Sequence, residues 1–327
     1  PLEADLLSGQ FASQAGNVYG DPRVKVVVGN PRAYLSREED RFDLVVVSLR
    51  DAFRPVTAGA YSLSEDHLYS KDAFRAYLRH LAPGGLLMAT RWLQTPPSEE
   101  LRMTATVVEA LDELGVDSLD QRLAALRTLQ TFTVLAKKEP FSPGELQEIR
   151  VFAESRQMDL AYLPGLRKVD RNRFFVLPSE SYFHGIQRLL DPKQRQQFYR
   201  EQTFDIRPTT DDKPFFFHFF RWGQVSDVVA HLGRVWQPFG GAGFLIVLIF
   251  FAVSLGVSTV LILGPLIIRK APADISCEVG NTRSWAVLVY FFALGLGFLW
   301  LELPLIQRFI LLLDHPTYSF GVVLFAV

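Results

Sequence analysis

Apolar and polar positions follow two kinds of pattern over the first two thirds of the chain. Short runs that are apolar throughout and end in glycine, proline or polar residues predict buried strands, and apolar positions three or four apart predict helices. The predicted strands are Val24–Val28, Phe42–Val47, Gly85–Thr90 and Thr131–Ala136. The predicted helices are 1–15, Ser70–Leu81, Ser98–Leu114, Ser142–Gln157, Ser179–Leu190 and Pro192–Glu201. Because apolar strands that alternate with helices are typical of a mostly parallel sheet covered on both faces, we expect an α/β domain.

The pattern changes near Pro238, since no charged residue occurs from there to Ile268. This run is longer than the roughly 20 apolar residues that cross the hydrocarbon core of a bilayer. A second uncharged stretch covers 284–301, and a third begins at Thr317 and continues to the last residue. We therefore predict α-helical transmembrane segments at about 240–268, 284–303 and from 316 through 327 onward.

These patterns divide the chain into four parts. The sheet domain covers 1–140, and a helical extension of the soluble domain covers 141–206. A linker follows at 207–237, where a run of phenylalanines and Trp222 predicts an aromatic belt at the level of the lipid headgroups. The transmembrane region covers 238–327.

Composition narrows the classes of function. The formal net charge is −1, so no basic field indicates a nucleic-acid partner. The single cysteine, Cys277, excludes an internal disulfide framework and a cysteine-based zinc site, and we predict no metal site. The chain starts at Pro1 without a signal-peptide pattern and ends inside an apolar run, so we expect a fragment truncated at both ends.

Candidate chemistry lies after the strands, because ligands of open parallel sheets bind beyond the carboxyl ends of the strands. Asn30 follows the first predicted strand, Ser48 and Asp51 follow the second, and Arg91 follows the third. The long loop 52–69 lies between the second strand and the next helix, and loops of this length are often functional.

Three segments of the sheet domain carry a specific combination of motifs, namely DPRVKVVVGNPRAYL, FDLVVVSLRDAF and HLYSKDAFRAYLRHLAPGGLLMA. Together they resemble the core of the spermidine synthase family, whose members are aminopropyltransferases with the class I methyltransferase, Rossmann-like fold. The segments TTDDKPFFFHFF and GLGFLWLELPLIQRFILLLDHPTY are similar to bacterial membrane-bound members of that family. The resemblance covers most of the chain, and its motifs are specific in combination and weak singly. The glycine-rich loop of the family would precede Pro1, so the resemblance implies a partial domain.

The resemblance assigns roles to four residues. The family has Gly-Asp where this chain has Gly29-Asn30, and the amide oxygen of Asn30 can accept the adenine hydrogen bond that the aspartate accepts. The first aspartate of the family's Asp-x-x-Asp-Pro motif is Ser48 here, at the position of the catalytic base and beside the co-substrate. A serine is no base at neutral pH unless a partner activates it. The second aspartate is Asp51, which could hold a cationic amine, and Tyr69 matches the tyrosine of the family's Leu-Tyr-Ser/Thr loop.

Other interpretations stay open beside these roles. Gly-Asn-Pro is ordinary turn chemistry, and a tyrosine before a helix is commonly a core residue. Ionisable residues at membrane depth are often functional, which directs attention to Glu302, Gln307 and Arg308. Alternatively Pro304 ends the span and leaves them at the interface, which we favour for Arg308 and leave open for Glu302.

The leading hypothesis is a membrane-anchored transferase that uses S-adenosylmethionine or decarboxylated S-adenosylmethionine to transfer a methyl or aminopropyl group to a small amine or polyamine. We expect a multi-pass protein of the bacterial inner membrane. Its soluble domain would lie on the cytoplasmic side, because the co-substrate is supplied there. The lipid bilayer is the expected partner, and a homo-oligomer is left open. The alternatives are a catalytically degenerate nucleoside-binding module that regulates a membrane bundle, and a membrane transport component.

Overall fold

The computed structural model describes residues 2–14, 16–49, 62–94, 97–225, 242–268, 281–313 and 316–326. The chain divides into two compact units, and each is described by itself. The smaller unit consists of Pro1–Glu38 with Lys270–Val327, and the larger unit is Glu39–Arg269.

The larger unit is built on a five-stranded sheet with the order β1-β2-β4-β3-β5. The strands are β1 Phe42–Val47, β2 Leu81–Trp92, β3 Leu123–Arg127, β4 Thr131–Lys137 and β5 Asp159–Tyr162. Only β1 and β2 pair in parallel; the other three pairings are antiparallel. The prediction of a mostly parallel sheet is therefore wrong for the described strands, which form a mixed sheet. The chain returns from β3 to β4 through residues 128–130, and so short a connection can join only antiparallel neighbours.

Helices of the larger unit follow the sequence signals closely. Their bounds are α3 Lys71–Arg79, α4 Glu99–Glu113, α5 Pro143–Ser155, α6 Ser181–Leu190, α7 Pro192–Glu201 and α8 Ala242–Ile268. The hydroxyl of Ser70 accepts a hydrogen bond from the Ala73 amide at 3.1 Å and so caps the start of α3. Ser142 and Glu145 form a reciprocal capping box at the start of α5.

One helix, α4, lies at the centre of the larger unit. It packs against β2 and β4 on one side, where Val134 and Ala136 are fully buried, and against α6 on another. Leu101 and Ala105 of α4 also join Phe204 in a buried apolar cluster. A helix covered on most of its surface has little room for charge, so the charged residues on α4 need partners.

The opposite face of the sheet is less covered at β1. Leu44 and Val46 are 51% and 46% exposed, so the expectation of a sheet covered on both faces fails at this strand within the described residues. The predicted strand Val24–Val28 is also wrong: these residues belong to the smaller unit, form no strand, and Val28 is exposed. A β-branched run becomes a strand only where another strand is available to pair with it, and the described part of the smaller unit contains none.

The smaller unit is helical in its described part. Its helices are α1 Leu2–Ser8, α2 Pro31–Leu35, α9 Asn281–Leu313 and α10 Pro316–Ala326, and α10 packs on α9. Helix α9 continues through Pro304, so this proline does not end the helix. The interpretation in which the span ends at Pro304 stays a prediction. Glu302 and Arg308 consequently lie on one continuous helix whose neighbouring leucines and isoleucines favour helix.

One stretch of the described residues, Val289–Ile310, is long and apolar enough to cross a membrane, and none of it is buried. A shorter apolar stretch, Val247–Leu261, lies in α8. The three predicted spans thus correspond to the helices α8, α9 and α10, of which α9 contains the qualifying stretch. A multi-pass arrangement stays a prediction.

Candidate functional site

The carboxyl ends of β1 and β2 lie side by side at one edge of the sheet. Val47 pairs in parallel with Ala89, so Ser48 directly follows the end of β1 beside the last residues of β2. Ser48 is exposed, whereas Arg91 of β2 is buried. This edge is where the sequence placed the candidate chemistry, and ligands of α/β sheets bind at such edges.

The Arg91 guanidinium is the centre of a buried polar group. Its Nε and Nη2 atoms donate to Oε2 of Glu99 at 3.0 and 2.8 Å, and Nη1 donates to the Tyr69 hydroxyl at 3.0 Å. The guanidinium also lies over the rings of Tyr69 and Phe217, at 4.8 and 5.2 Å from their centroids. Glu99 is the first residue of α4, where the positive end of the helix dipole favours a carboxylate. These contacts hold the side chains of Tyr69, Arg91 and Glu99 in fixed positions relative to one another.

A second carboxyl group lies next to this pair. Glu100 is fully buried, and its Oε1 atom accepts from the Ser98 amide at 3.3 Å. Its Oε2 atom has no hydrogen-bond partner among the described residues. Burial, and after it the charge of Glu99, raises the pKa of Glu100 to about 8. Two adjacent carboxyl groups therefore differ in protonation: Glu99 is held as a carboxylate by Arg91, while Glu100 keeps its proton at neutral pH.

The loop that carries Tyr69 is fixed by a distant segment of the chain. We call residues 205–222 the aromatic strap. The Asp66 amide donates to the Pro214 carbonyl and the Lys71 amide to the Thr209 carbonyl, both at 2.7 Å. The Ser70 hydroxyl donates to Asp211 at 2.6 Å. Asp211 is thus part of the support of this loop.

The aromatic residues of the strap pack in the protein interior. Phe216, Phe219 and Phe220 are buried, and the ring of Phe216 lies 4.8 Å from that of Tyr69. The interpretation of this run as an aromatic belt at the headgroups is therefore wrong for these three residues. Trp222 remains exposed. Phenylalanines beside a soluble domain gain more by filling its core than by facing the interface, because burying such a side chain contributes about 2 kcal/mol.

The structure describes three of the four predicted site residues, and these three lie in different surroundings. Asn30 belongs to the smaller unit, where its Oδ1 accepts from the Arg32 amide at 2.9 Å and caps α2, which agrees with the turn interpretation. Ser48 lies at the sheet edge, and Asp51 lies outside the described residues. Tyr69 is a buried core residue, yet its hydroxyl contacts Arg91. The roles of Asn30, Ser48, Asp51 and Tyr69 in catalysis or binding stay predictions.

Sequence reasoning missed the partners that the structure brings together, namely Glu99, Glu100 and Arg102. The available signal was an arginine at the end of an otherwise apolar strand and three charged residues at the start of a largely apolar helix. Charged residues in such positions are rarely buried without partners. That signal predicts a buried polar cluster but does not say which residues pair.

Comparison with known proteins relates part of the chain to a polyamine enzyme. No family model matches this chain. Over 98 residues this chain is 31% identical to a polyamine aminopropyltransferase of Nitrosomonas europaea. The matched stretch covers 30% of this chain and 27% of that protein. The match thus spans about a quarter of the length of this relative. The similarity supports a relationship to spermidine synthase-like transferases.

Proposed function

We propose that this chain is part of a membrane-anchored, spermidine synthase-like transferase that acts on a small amine or polyamine. The observation that carries the proposal is the 31% identity over 98 residues with a polyamine aminopropyltransferase. The exposed Ser48 beside the buried Arg91 group, at the carboxyl ends of two parallel strands, supports a ligand site at that edge. We propose decarboxylated S-adenosylmethionine as the co-substrate in preference to S-adenosylmethionine, because the relative is named for aminopropyl transfer.

The residues of the chain fit this co-substrate in part. Decarboxylated S-adenosylmethionine supplies a carbon next to a sulfonium; the amine nitrogen attacks it, the carbon–sulfur bond breaks with its electron pair on sulfur, and the amine loses a proton. The amide oxygen of Asn30, which accepts a hydrogen bond from the Arg32 amide, would contact the adenine amino group. Asp51 would hold the cationic amine by a charge-assisted hydrogen bond.

The membrane part of the proposal rests on the exposed apolar helices. A core helix of a soluble protein is mostly buried, whereas no residue of the stretch Val289–Ile310 is buried. In α8, side chains such as Phe250 and Phe251 are also exposed. Exposure of so many apolar side chains is costly in water and favourable in lipid. We propose a bacterial inner-membrane location with the soluble unit on the cytoplasmic side.

Binding of the two nucleosides tests the proposal directly. We expect the full-length protein in detergent to bind decarboxylated S-adenosylmethionine at least about tenfold more tightly than S-adenosylmethionine, which corresponds to about 1.4 kcal/mol. Isothermal titration calorimetry with each compound measures the difference. Preference for S-adenosylmethionine would indicate methyl transfer instead. Absence of binding by both would overturn the transferase proposal, and binding without transfer to any polyamine would favour the nucleoside-binding module.

Two substitutions test the assignment of Asp51 and Ser48. Because a carboxylate holds the amine and a serine replaces the base, we expect Asp51→Ala to abolish aminopropyl transfer and Ser48→Asp to raise its rate by about 10²-fold. Transfer to spermidine and putrescine is measured by chromatography of the product amines. Asp43→Ala serves as the control, since Asp43 is an exposed aspartate on β1 away from the strand end. Equal effects of Asp51→Ala and Asp43→Ala would contradict the role of Asp51.

A further inference from the structure

The aromatic strap has almost no regular secondary structure of its own. Backbone hydrogen bonds within the strap reach some of its carbonyls, such as those of Pro214 and Phe219, and the others need partners from elsewhere. Apart from an isolated bridge between Thr210 and Lys213, its described residues form no strand ladder or α-helix. Buried carbonyl groups without partners are costly. The strap must therefore be held by other parts of the molecule.

Arg102 of α4 provides much of this support. Its Nη1 atom donates to the carbonyls of Phe215 and Phe216, and its Nη2 atom donates to those of Asp205 and His218. The guanidinium is buried and lies 4.3 Å from the centroid of the Phe219 ring. Burial lowers the pKa of Arg102 to about 9, so the side chain remains charged at neutral pH. One planar guanidinium thus gathers four carbonyls from both ends of the strap, a geometry that the compact ammonium of lysine cannot reproduce.

The held strap in turn contacts the loop that carries Tyr69. Carbonyls of the strap accept hydrogen bonds from the Asp66 and Lys71 amides of the loop. In addition, the Thr209 hydroxyl donates to the Tyr69 carbonyl at 3.3 Å. The loop reaches Arg91 and Glu99 through the Tyr69 hydroxyl. Contacts therefore run without a gap from Arg102 through the strap to the buried group at the sheet edge.

The far end of the strap contacts the first turn of α8. The Phe244 ring lies 4.9 Å from the His218 ring and 5.2 Å from the Phe220 ring. Helix α8 contains the apolar stretch Val247–Leu261. The strap is thus packed between an apolar helix and the loop of the candidate site.

We propose that Arg102 is a positioning residue: by fixing the aromatic strap it holds the loop Asp66–Lys71, and hence Tyr69, in place, and the packing of Phe244 on the strap supports the same arrangement. This proposal rests on the proposed function in one respect: the loop is part of a transferase site only if the chain is a transferase. Its consequence is that the α8 helix and the candidate site share one support. A change in α8 is then felt at Tyr69 without any change in the sheet.

Hydrogen–deuterium exchange of the full-length protein in lipid nanodiscs tests the proposal. We expect Arg102→Lys to speed exchange of the Asp66 and Lys71 amides by about tenfold or more, while the amides of β4 keep their wild-type rates. Arg195→Lys is the matched control. Arg195 is also buried and also donates to a backbone carbonyl, that of Leu189, which lies outside the strap. We expect it to leave the Asp66 and Lys71 amides unchanged.

A second variant keeps the test informative if Arg102→Lys fails to fold. Phe244→Ala removes only the ring that packs on the strap, and we expect it to speed the same two amides by a few fold, whereas Phe251→Ala, an exposed phenylalanine of the same helix, does not. Unchanged exchange at Asp66 and Lys71 in both variants would overturn the proposal. So would equal acceleration of these amides and those of β4, because Arg102 would then stabilise the whole unit. Since exchange needs no substrate, these results stand apart from the nucleoside-binding test of the proposed function.

Discussion

We expect the Glu99→Gln variant to lose about 3 kcal/mol or more of the free energy of unfolding of the larger unit. The side chains of Arg91 and Glu99 are 1% and 3% exposed, and two guanidinium nitrogens donate to one carboxylate oxygen. Glutamine keeps the size of the side chain but removes the charge, so the buried Arg91 cation loses the counter-charge of Glu99. Removing the charge of one partner of a buried ion pair costs far more than the net stabilisation that an intact pair provides.

The control for this variant lies on the same helix. Glu113 pairs with Lys71 and Arg75, but its side chain is 37% exposed, so water screens the charges. We expect Glu113→Gln to change the stability by less than about 1 kcal/mol. Chemical denaturation of the detergent-solubilised full-length chain, followed by near-ultraviolet circular dichroism, compares the two variants. Equal losses would mean that the Arg91–Glu99 pair is no more important than a surface ion pair.

The parts of the fold that the sequence predicts correctly are those decided by neighbouring residues. Ser70 and Ser142 begin α3 and α5 because a serine hydroxyl satisfies free amides in the first turn, whatever the tertiary structure. The strands Phe42–Val47 and Thr131–Lys137 are dense in β-branched or aromatic residues, and they appear where the pattern placed them.

The parts that the sequence does not predict depend on distant contacts. Leu123–Arg127 reads LAALR, which consists of strong helix formers, yet it is a strand because β4 and β5 pair with it on either side. Val24–Val28 shows the reverse, since a strong strand pattern forms no strand where no described strand pairs with it. Strand direction likewise follows from pairing partners, which periodicity does not reveal.

The candidate site divides in the same way. The sequence predicts that Ser48 and Arg91 lie at one edge of the sheet, and the parallel pairing of β1 with β2 brings them there, although Arg91 lies within β2 instead of following it. Ligand binding at this edge stays a prediction. The prediction of an aromatic belt for the strap is wrong because interfacial belts and protein cores are both rich in phenylalanine, so the residue type alone does not distinguish them. In this chain the strap packs in the protein core, because Arg102 donates hydrogen bonds to the Phe216 and His218 carbonyls and holds the segment against the domain.

Glu100 makes the stability of the larger unit depend on pH in a direction opposite to that of most carboxyl groups. Burial, and after it the charge of Glu99, raises the pKa of Glu100 to about 8 in the folded protein, against an ordinary value of 4.5. Between these two values the folded protein holds a proton that the unfolded chain has released. The stability contributed by protonated Glu100 is therefore fully present below about pH 4.5 and is lost as the pH rises through about 8.

The Glu100→Gln variant isolates this effect, because glutamine resembles the protonated acid and does not titrate. We expect the difference in free energy of unfolding, variant minus wild type, to grow by about 2 kcal/mol between about pH 5 and about pH 7. Urea denaturation at matched ionic strength measures both proteins, and contributions from all other titrating groups cancel in the difference. A difference that stays constant with pH would show that Glu100 titrates as an ordinary carboxyl group. A difference in free energy of unfolding that grows with pH would show that Glu100 is a neutral acid at physiological pH, beside a Glu99 carboxylate that is paired with Arg91.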